Sequence, residues 1–339
     1  MVTGKGLPKS NHAEEVGISQ TSNTDAAERT AGRVIPAIAR ESVWKAADGH
    51  AIRRIDFAAR NPRGSLLFCP GRGDFYEKYL ETLEHWAARG WHVTAIDWRG
   101  QALSGRLGGD EVTGHVDDFG TWIADLKGFW HSWVAETPGP YVLCGHSMGG
   151  HLALRAVVDG AAAPDALVLS APMLGFTGPP LPLPVAHGFA KLMIAIGDPK
   201  RPAWKWSEKP GEIPAGREKL LTHDDDRYAD EQWWRTERPG LVMGPGSWGW
   251  VERAYASVRG LDRPGVLEAV RVPTVAISTS HDKLVSHAAV ERAIERMPNA
   301  TLVRFGTEAR HEILREVDGV RDRALGEIDA FLDETLPKQ

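Results

Sequence analysis

Three side chains in this 339-residue sequence have the types and the chain order needed for nucleophilic catalysis. Gly145-His146-Ser147-Met148-Gly149 sets a serine between two glycines, after residues that read as a buried strand (YVLC, 141–144) and before residues that read as a helix. A serine on such a strand-to-helix turn needs neighbours without bulk, because the backbone passes close to other chain segments there. Its hydroxyl is a poor nucleophile until a base takes the proton, and the base needs a third group to orient it. On a sheet of this kind the acid and then the histidine follow the serine along the chain, each on a loop after a later strand. His311, in GTEARHE (306–312), is the only one of 13 histidines that follows the last predicted strand. Asp282, in STSHDK (278–283), follows the strand before it; a helix N-cap or a solvent-exposed aspartate are its other readings. A tetrahedral intermediate also needs backbone donors for its oxyanion. The positions for these are the amides of Met148 and of Arg72, the latter in PGRGD (70–74).

To hold those residues the chain needs a mostly parallel sheet covered by helices, and its alternation of short apolar runs with amphipathic stretches predicts one. Strands are expected at 64–70, 91–97, 141–145, 166–170, 272–278 and 301–305, and helices at 76–89, 116–136, 147–159, 286–297 and about 317–334. Residues 1–33 carry no aromatic residue and few aliphatic ones, so they are expected to form a disordered tail; they also lack the apolar stretch of a secretory signal. Residues 34–173 then form the first part of the core, 174–250 an insertion, and 251–339 the second part of the core. The insertion holds ten of the 22 prolines, which favours short helices joined by turns in a cap or lid.

Several functions are excluded or disfavoured by composition and pattern. A net charge of −5 and a pI near 6.2 give no basic footprint for nucleic acid. The longest aliphatic run, 192–196, is far too short to span a bilayer, which leaves transient contact with a membrane surface open. Cys69 and Cys144 both fall inside apolar runs and read as buried thiols in a reducing, cytoplasmic compartment. Gly71-Arg72-Gly73 is not a dinucleotide fingerprint, because Tyr76 stands at the third glycine. The run Asp224-Asp225-Asp226 lacks the interleaved ligands of a calcium loop and reads as a solvated turn, so no metal or cofactor is expected. Among competing histidines, His146 is expected to point away from the serine and His151 to lie sideways on the following helix.

With these residues in place, the chain resembles α/β-hydrolases of the monoacylglycerol lipase and lysophospholipase type, also called serine aminopeptidase S33-like hydrolases. The similar positions run from Gly71 to Asp74 with Tyr79, through Asp97-Trp98-Arg99-Gly100-Gln101 and Ser104-Gly105-Arg106, to the serine turn. Beyond it come Leu221-Thr222-His223-Asp224 with Arg227-Tyr228, Pro245 with Trp248-Gly249-Trp250, and Arg310-His311-Glu312. Two positions depart from the pattern: Pro70 stands where the family carries histidine, and Ala102 where it carries glycine. The resemblance implies an α/β-hydrolase fold with a helical cap and a serine esterase acting on a small ester or lipid through an acyl-enzyme. It leaves an amidase or proline iminopeptidase, a carbon–carbon bond hydrolase and a non-catalytic ligand receptor as rival readings. Apolar residues of the insertion, Phe189 and Met193 among them, are expected either to line an acyl pocket or to pack against the core. Arg72 has a further role open to its side chain, contact with a phosphate head group; the alternative is a solvated arginine or one paired with Asp74.

Overall fold

The computed structural model describes residues 32–178, 181–205 and 216–336. The expected disordered tail lies, but for its last two residues, outside them. In chain order the elements are β1 (Ala39–Lys45), β2 (Ala51–Phe57), β3 (Ser65–Cys69), α1 (Leu80–Ala88), β4 (His92–Ile96), α2 (Phe119–Glu136), β5 (Tyr141–His146), α3 (Met148–Val158) and β6 (Ala166–Ser170). There follow α4 (Leu183–Ala195), α5 (Glu218–Leu221), α6 (Asp225–Glu237) and α7 (Trp248–Leu261). The chain closes with β7 (Thr274–Thr279), α8 (His287–Arg296), β8 (Ala300–Phe305) and α9 (Asp318–Thr335).

The described strands form an eight-stranded sheet in the order β1-β2-β4-β3-β5-β6-β7-β8. From β4 to β8 every pairing is parallel, and the β1–β2 and β2–β4 pairings are antiparallel. Parallel strands joined by crossover helices are covered on both faces, which is why their sequences are unbroken apolar runs. Successive residues of one strand serve opposite faces. Leu67, Cys69, Leu143, Leu167 and Leu169 join one core with Trp122, Leu126 and Trp133 of α2 and Leu152 of α3. Leu66, Phe68, Val142, Cys144 and Val168 join the other with Leu83 and Trp86 of α1 and Leu325 and Ile328 of α9. The two cysteines are buried and free, one facing each core.

Between β6 and β7 the chain leaves the sheet. Prolines interrupt this stretch, and the helices among its described residues are α4, α5, α6 and α7. Residue 250, the expected end of the insertion, lies inside α7. The Asp224–Asp226 run is not a solvated turn: Asp224 caps α6, its side chain accepting from the Arg227 N–H, and Asp225 and Asp226 occupy the first turn. Carboxylates there complement the unsatisfied N–H groups and positive end of a helix.

Candidate active site

Ser147 joins β5 to α3 with φ 52° and ψ −119°, a left-handed conformation costly for a residue with a Cβ. The two glycines make the turn feasible. A Cβ on Gly145 would stand 2.5 Å from the Gly149 carbonyl oxygen, and one on Gly149 would stand 2.1 Å from the Cys69 oxygen and 2.3 Å from the Pro70 oxygen. The first turn of α3 therefore rests on the end of β3, where the Gly71–Asp74 turn begins. That turn is equally close: a Cβ on Gly71 would lie 3.1 Å from the Ser147 Cβ.

The loops after β7 and β8 bring the other two residues to the serine. His311 Nε2 is 2.9 Å from Ser147 Oγ, and His311 Nδ1 is 2.7 Å from Asp282 Oδ2. The other carboxylate oxygen, Oδ1, accepts the Leu284 and Val285 N–H groups at 2.8 and 3.0 Å, which fixes the plane of the Asp282 side chain. Burial pushes the His311 imidazole towards neutrality, but the Asp282 charge and hydrogen bond outweigh it, and with Glu312 and Asp74 nearby the pKa lies above the ordinary histidine value. For Asp282, burial opposes ionisation and His311 with the two backbone donors overcomes it, so its pKa is lowered.

Met148 follows the serine at the start of α3, and Arg72 follows Gly71 in the turn packed against Ser147. Asp74 holds that turn: its carboxylate accepts from the Gly71 N–H at 3.1 Å, from Tyr79 Oη at 2.9 Å and from Lys78 Nζ at 2.6 Å. Gln101 Oε1 accepts the Gly73 N–H at 2.7 Å. The next residue, Ala102, has φ 46°, which explains a glycine in the family pattern at this position. The Arg72 guanidinium lies 5.1 Å from the ring centroids of both Trp204 and Trp250 and donates to the Gly244 carbonyl at 2.7 Å.

Ser147 and His311 open into a cavity of about 710 Å³ whose wall is mostly apolar, with Phe176, Phe189, Leu220, Trp248 and Val251 among its lining. Phe189 of α4 is thus part of the wall of the cavity that holds Ser147 and His311. Met193, one turn on, is half-buried and is not among the lining residues; its carbonyl accepts from Arg201 at 2.6 Å. His146 departs from expectation. It does not point away, for its ring lies 4.8 Å from that of His311 and lines the same cavity. Burial lowers its pKa to about 4, with the neighbouring His311 adding to the effect, so it is neutral near pH 7. His151 is turned aside to Ser257, at 2.6 Å.

A buried ionic cluster behind the histidine was not foreseen. Lys78 Nζ contacts Asp74 and Glu312 at 2.6 Å each and Glu231 at 3.0 Å. Arg315 pairs with Glu312 and Glu231, and Arg235 with Glu231. The sequence signals for it were local only: the three- and four-residue spacings of Asp74 and Lys78, Glu231 and Arg235, and Glu312 and Arg315.

A sheet of this topology, with a serine at the β5–α3 turn and a histidine after the last strand, is that of the α/β-hydrolases. The match to serine aminopeptidase S33 hydrolases spans residues 60–318, and the chain belongs to that family. It is 29% identical over 311 residues to lysophospholipase L2 of Escherichia coli, covering 86% of this chain and 87% of the relative. Its fold superposes on a monoglyceride lipase of Saccharomyces cerevisiae with a TM-score of 0.69 at 17% identity, over 88% of this chain and 97% of the other. A monoacylglycerol lipase of Paleococcus ferrophilus gives a TM-score of 0.63 at 19% identity, over 83% and 98%. Among the described residues no helix is long and apolar enough to cross a membrane.

Proposed function

We propose that this protein hydrolyses carboxylic esters of monoacylglycerol or lysophospholipid type through an acyl-enzyme. The observation that carries the reading is the unbroken hydrogen-bond chain from Asp282 through His311 to Ser147, opening into an apolar cavity. Ser147 Oγ attacks the ester carbonyl while His311 Nε2 takes its proton, and the negative charge settles on the former carbonyl oxygen against the Met148 and Arg72 amides. Collapse of that intermediate breaks the bond to the alcohol, which leaves with the proton from Nε2. Water, deprotonated by His311, then attacks the acyl-enzyme and releases the fatty acid, restoring Ser147.

The cavity supports an acyl substrate over a peptide. An aminopeptidase must hold a free ammonium, and among the described residues the two carboxylates bordering this cavity, Asp74 and Glu312, are already bonded to Lys78. A relative named lysophospholipase and neighbours named monoglyceride lipase support the same class. Leu181, Val185, Phe189, Leu192 and Ile196, on and beside α4, are each more than half exposed and recur every three or four residues. Such a row supports transient contact between the cap and a lipid surface from which substrate enters. Two buried free thiols support a cytoplasmic location.

The test is labelling with an active-site-directed fluorophosphonate, followed by turnover of a monoacylglycerol and a lysophospholipid of equal chain length. Labelling of the wild type, its absence in Ser147→Ala, and turnover of either lipid are expected. An unlabelled wild type overturns the mechanism, and labelling without ester turnover moves the protein to the amide or carbon–carbon rivals.

A further inference from the structure

We propose that Lys78 is a positioning residue: its ammonium locks the turn carrying Arg72, one of the two proposed oxyanion amides, to the loop carrying the catalytic histidine. This inference rests on the serine-hydrolase reading above. The Lys78 side chain is fully buried and does not line the cavity, so it touches no substrate. It ends between three carboxylates that belong to three chain segments. Asp74 closes the turn whose Gly71 lies against Ser147 and which carries Arg72, Glu312 is the residue after His311, and Glu231 comes from α6. No other side chain among the described residues is bonded to both Asp74 and Glu312.

Charge makes this link stringent. Asp74, Glu231 and Glu312 face Lys78, Arg235 and Arg315, three charges of each sign in a buried space. Ion pairs out of water add little net stability, but removing one partner leaves an uncompensated charge. Without the ammonium, Asp74 and Glu312 repel across the gap it now fills, and the two loops part. The catalytic distances are then lost even though every catalytic group is present, and about 1 Å of misplacement costs on the order of 10² in rate. The groups facing His311 are Asp282, Glu312, Asp74 and His146, so the freed carboxylates also raise its pKa.

The test uses Lys78→Met and the charge-balanced double variant Lys78→Met/Glu231→Gln, each read by fluorophosphonate labelling and by ester turnover against pH. Labelling of the wild type establishes the serine mechanism independently of any result at Lys78. In Lys78→Met we expect kcat to fall on the order of 10²-fold with KM within about twofold of wild type, and the acid limb of kcat/KM to move to higher pH. The single variant is exposed to misfolding, and the double variant restores charge balance without restoring the link. It is therefore expected to melt cooperatively while keeping the low kcat and, because Asp74 and Glu312 still lack the ammonium, the shifted acid limb. A folded variant of either kind with wild-type kcat overturns the proposal, as does a kcat that recovers fully in the double variant.

Discussion

The exchange Asp282→Asn is nearly isosteric, and its consequence follows from the two backbone donors on the far oxygen. Leu284 and Val285 direct their N–H groups at Oδ1, so in the variant the amide oxygen must occupy that side. Turning the amide over would set its NH2 against two donors and leave both without an acceptor, at roughly 1–3 kcal/mol for each. The amide nitrogen therefore faces His311 Nδ1 and donates to it. Nδ1 becomes the acceptor, the ring proton moves to Nε2, and Nε2 meets Ser147 Oγ as a donor that cannot take its proton. The wrong tautomer with correct geometry is worth on the order of 10⁴ in kcat for a serine–histidine–aspartate system, or about 5.5 kcal/mol. Because Asp282 does not line the cavity, KM for the ester is expected to stay within about twofold. The assay is turnover of a p-nitrophenyl ester together with the rate of fluorophosphonate labelling, both across pH. Loss of the Asp282 charge leaves burial as the leading influence on the imidazole, so any residual activity should titrate at lower pH than the wild type. A loss of less than tenfold at neutral pH refutes the orientation argument, and a silent variant removes Asp282 from the triad.

In the wild type, kcat/KM should rise with pH through a single ionisation above the ordinary histidine value of about 6.5, because His311 must be neutral to act and its pKa is raised. EDTA should leave the profile unchanged; a limb below that value contradicts the assigned base. Phe189→Asn should lower kcat/KM for long-chain esters by about fivefold, roughly 1 kcal/mol for a half-exposed ring, and leave acetate esters near wild type. Equal losses on both substrates, measured along a series of chain lengths, would assign Phe189 to packing.

The central strands were legible because parallel strands covered on both faces must be apolar throughout, so GSLLFCP, YVLCG and ALVLS each announced a strand. The serine turn was legible because Gly145 and Gly149 fall between a strand pattern and a helix pattern, where the backbone crossing leaves no room for a Cβ. β1 and β2 escaped the reading. They carry Arg40, Glu41, Arg53, Arg54 and Asp56, and their polar pattern resembles a loop until the partner strand and the buried ion pairs of Arg53 are known. α6 escaped because three aspartates look like solvated turn, although the same residues suit the first turn of a helix. His146 was misjudged by strand alternation alone, which tells the face of the sheet but not what crosses over its end. The Lys78 cluster was out of reach, since its members lie some 150 and 230 positions apart and nothing local ties a lysine to carboxylates that distant.

Glu231 also says something about how this enzyme class can vary. In this chain α6, within the region between β6 and β7, inserts a carboxylate into the charge balance behind His311. A chimera that replaces the whole region with that of a relative would leave the ammonium of Lys78 and the guanidinium of Arg315 with one acid fewer between them. A graft that preserves the charge balance would have to end before α6 or bring its own acid at position 231.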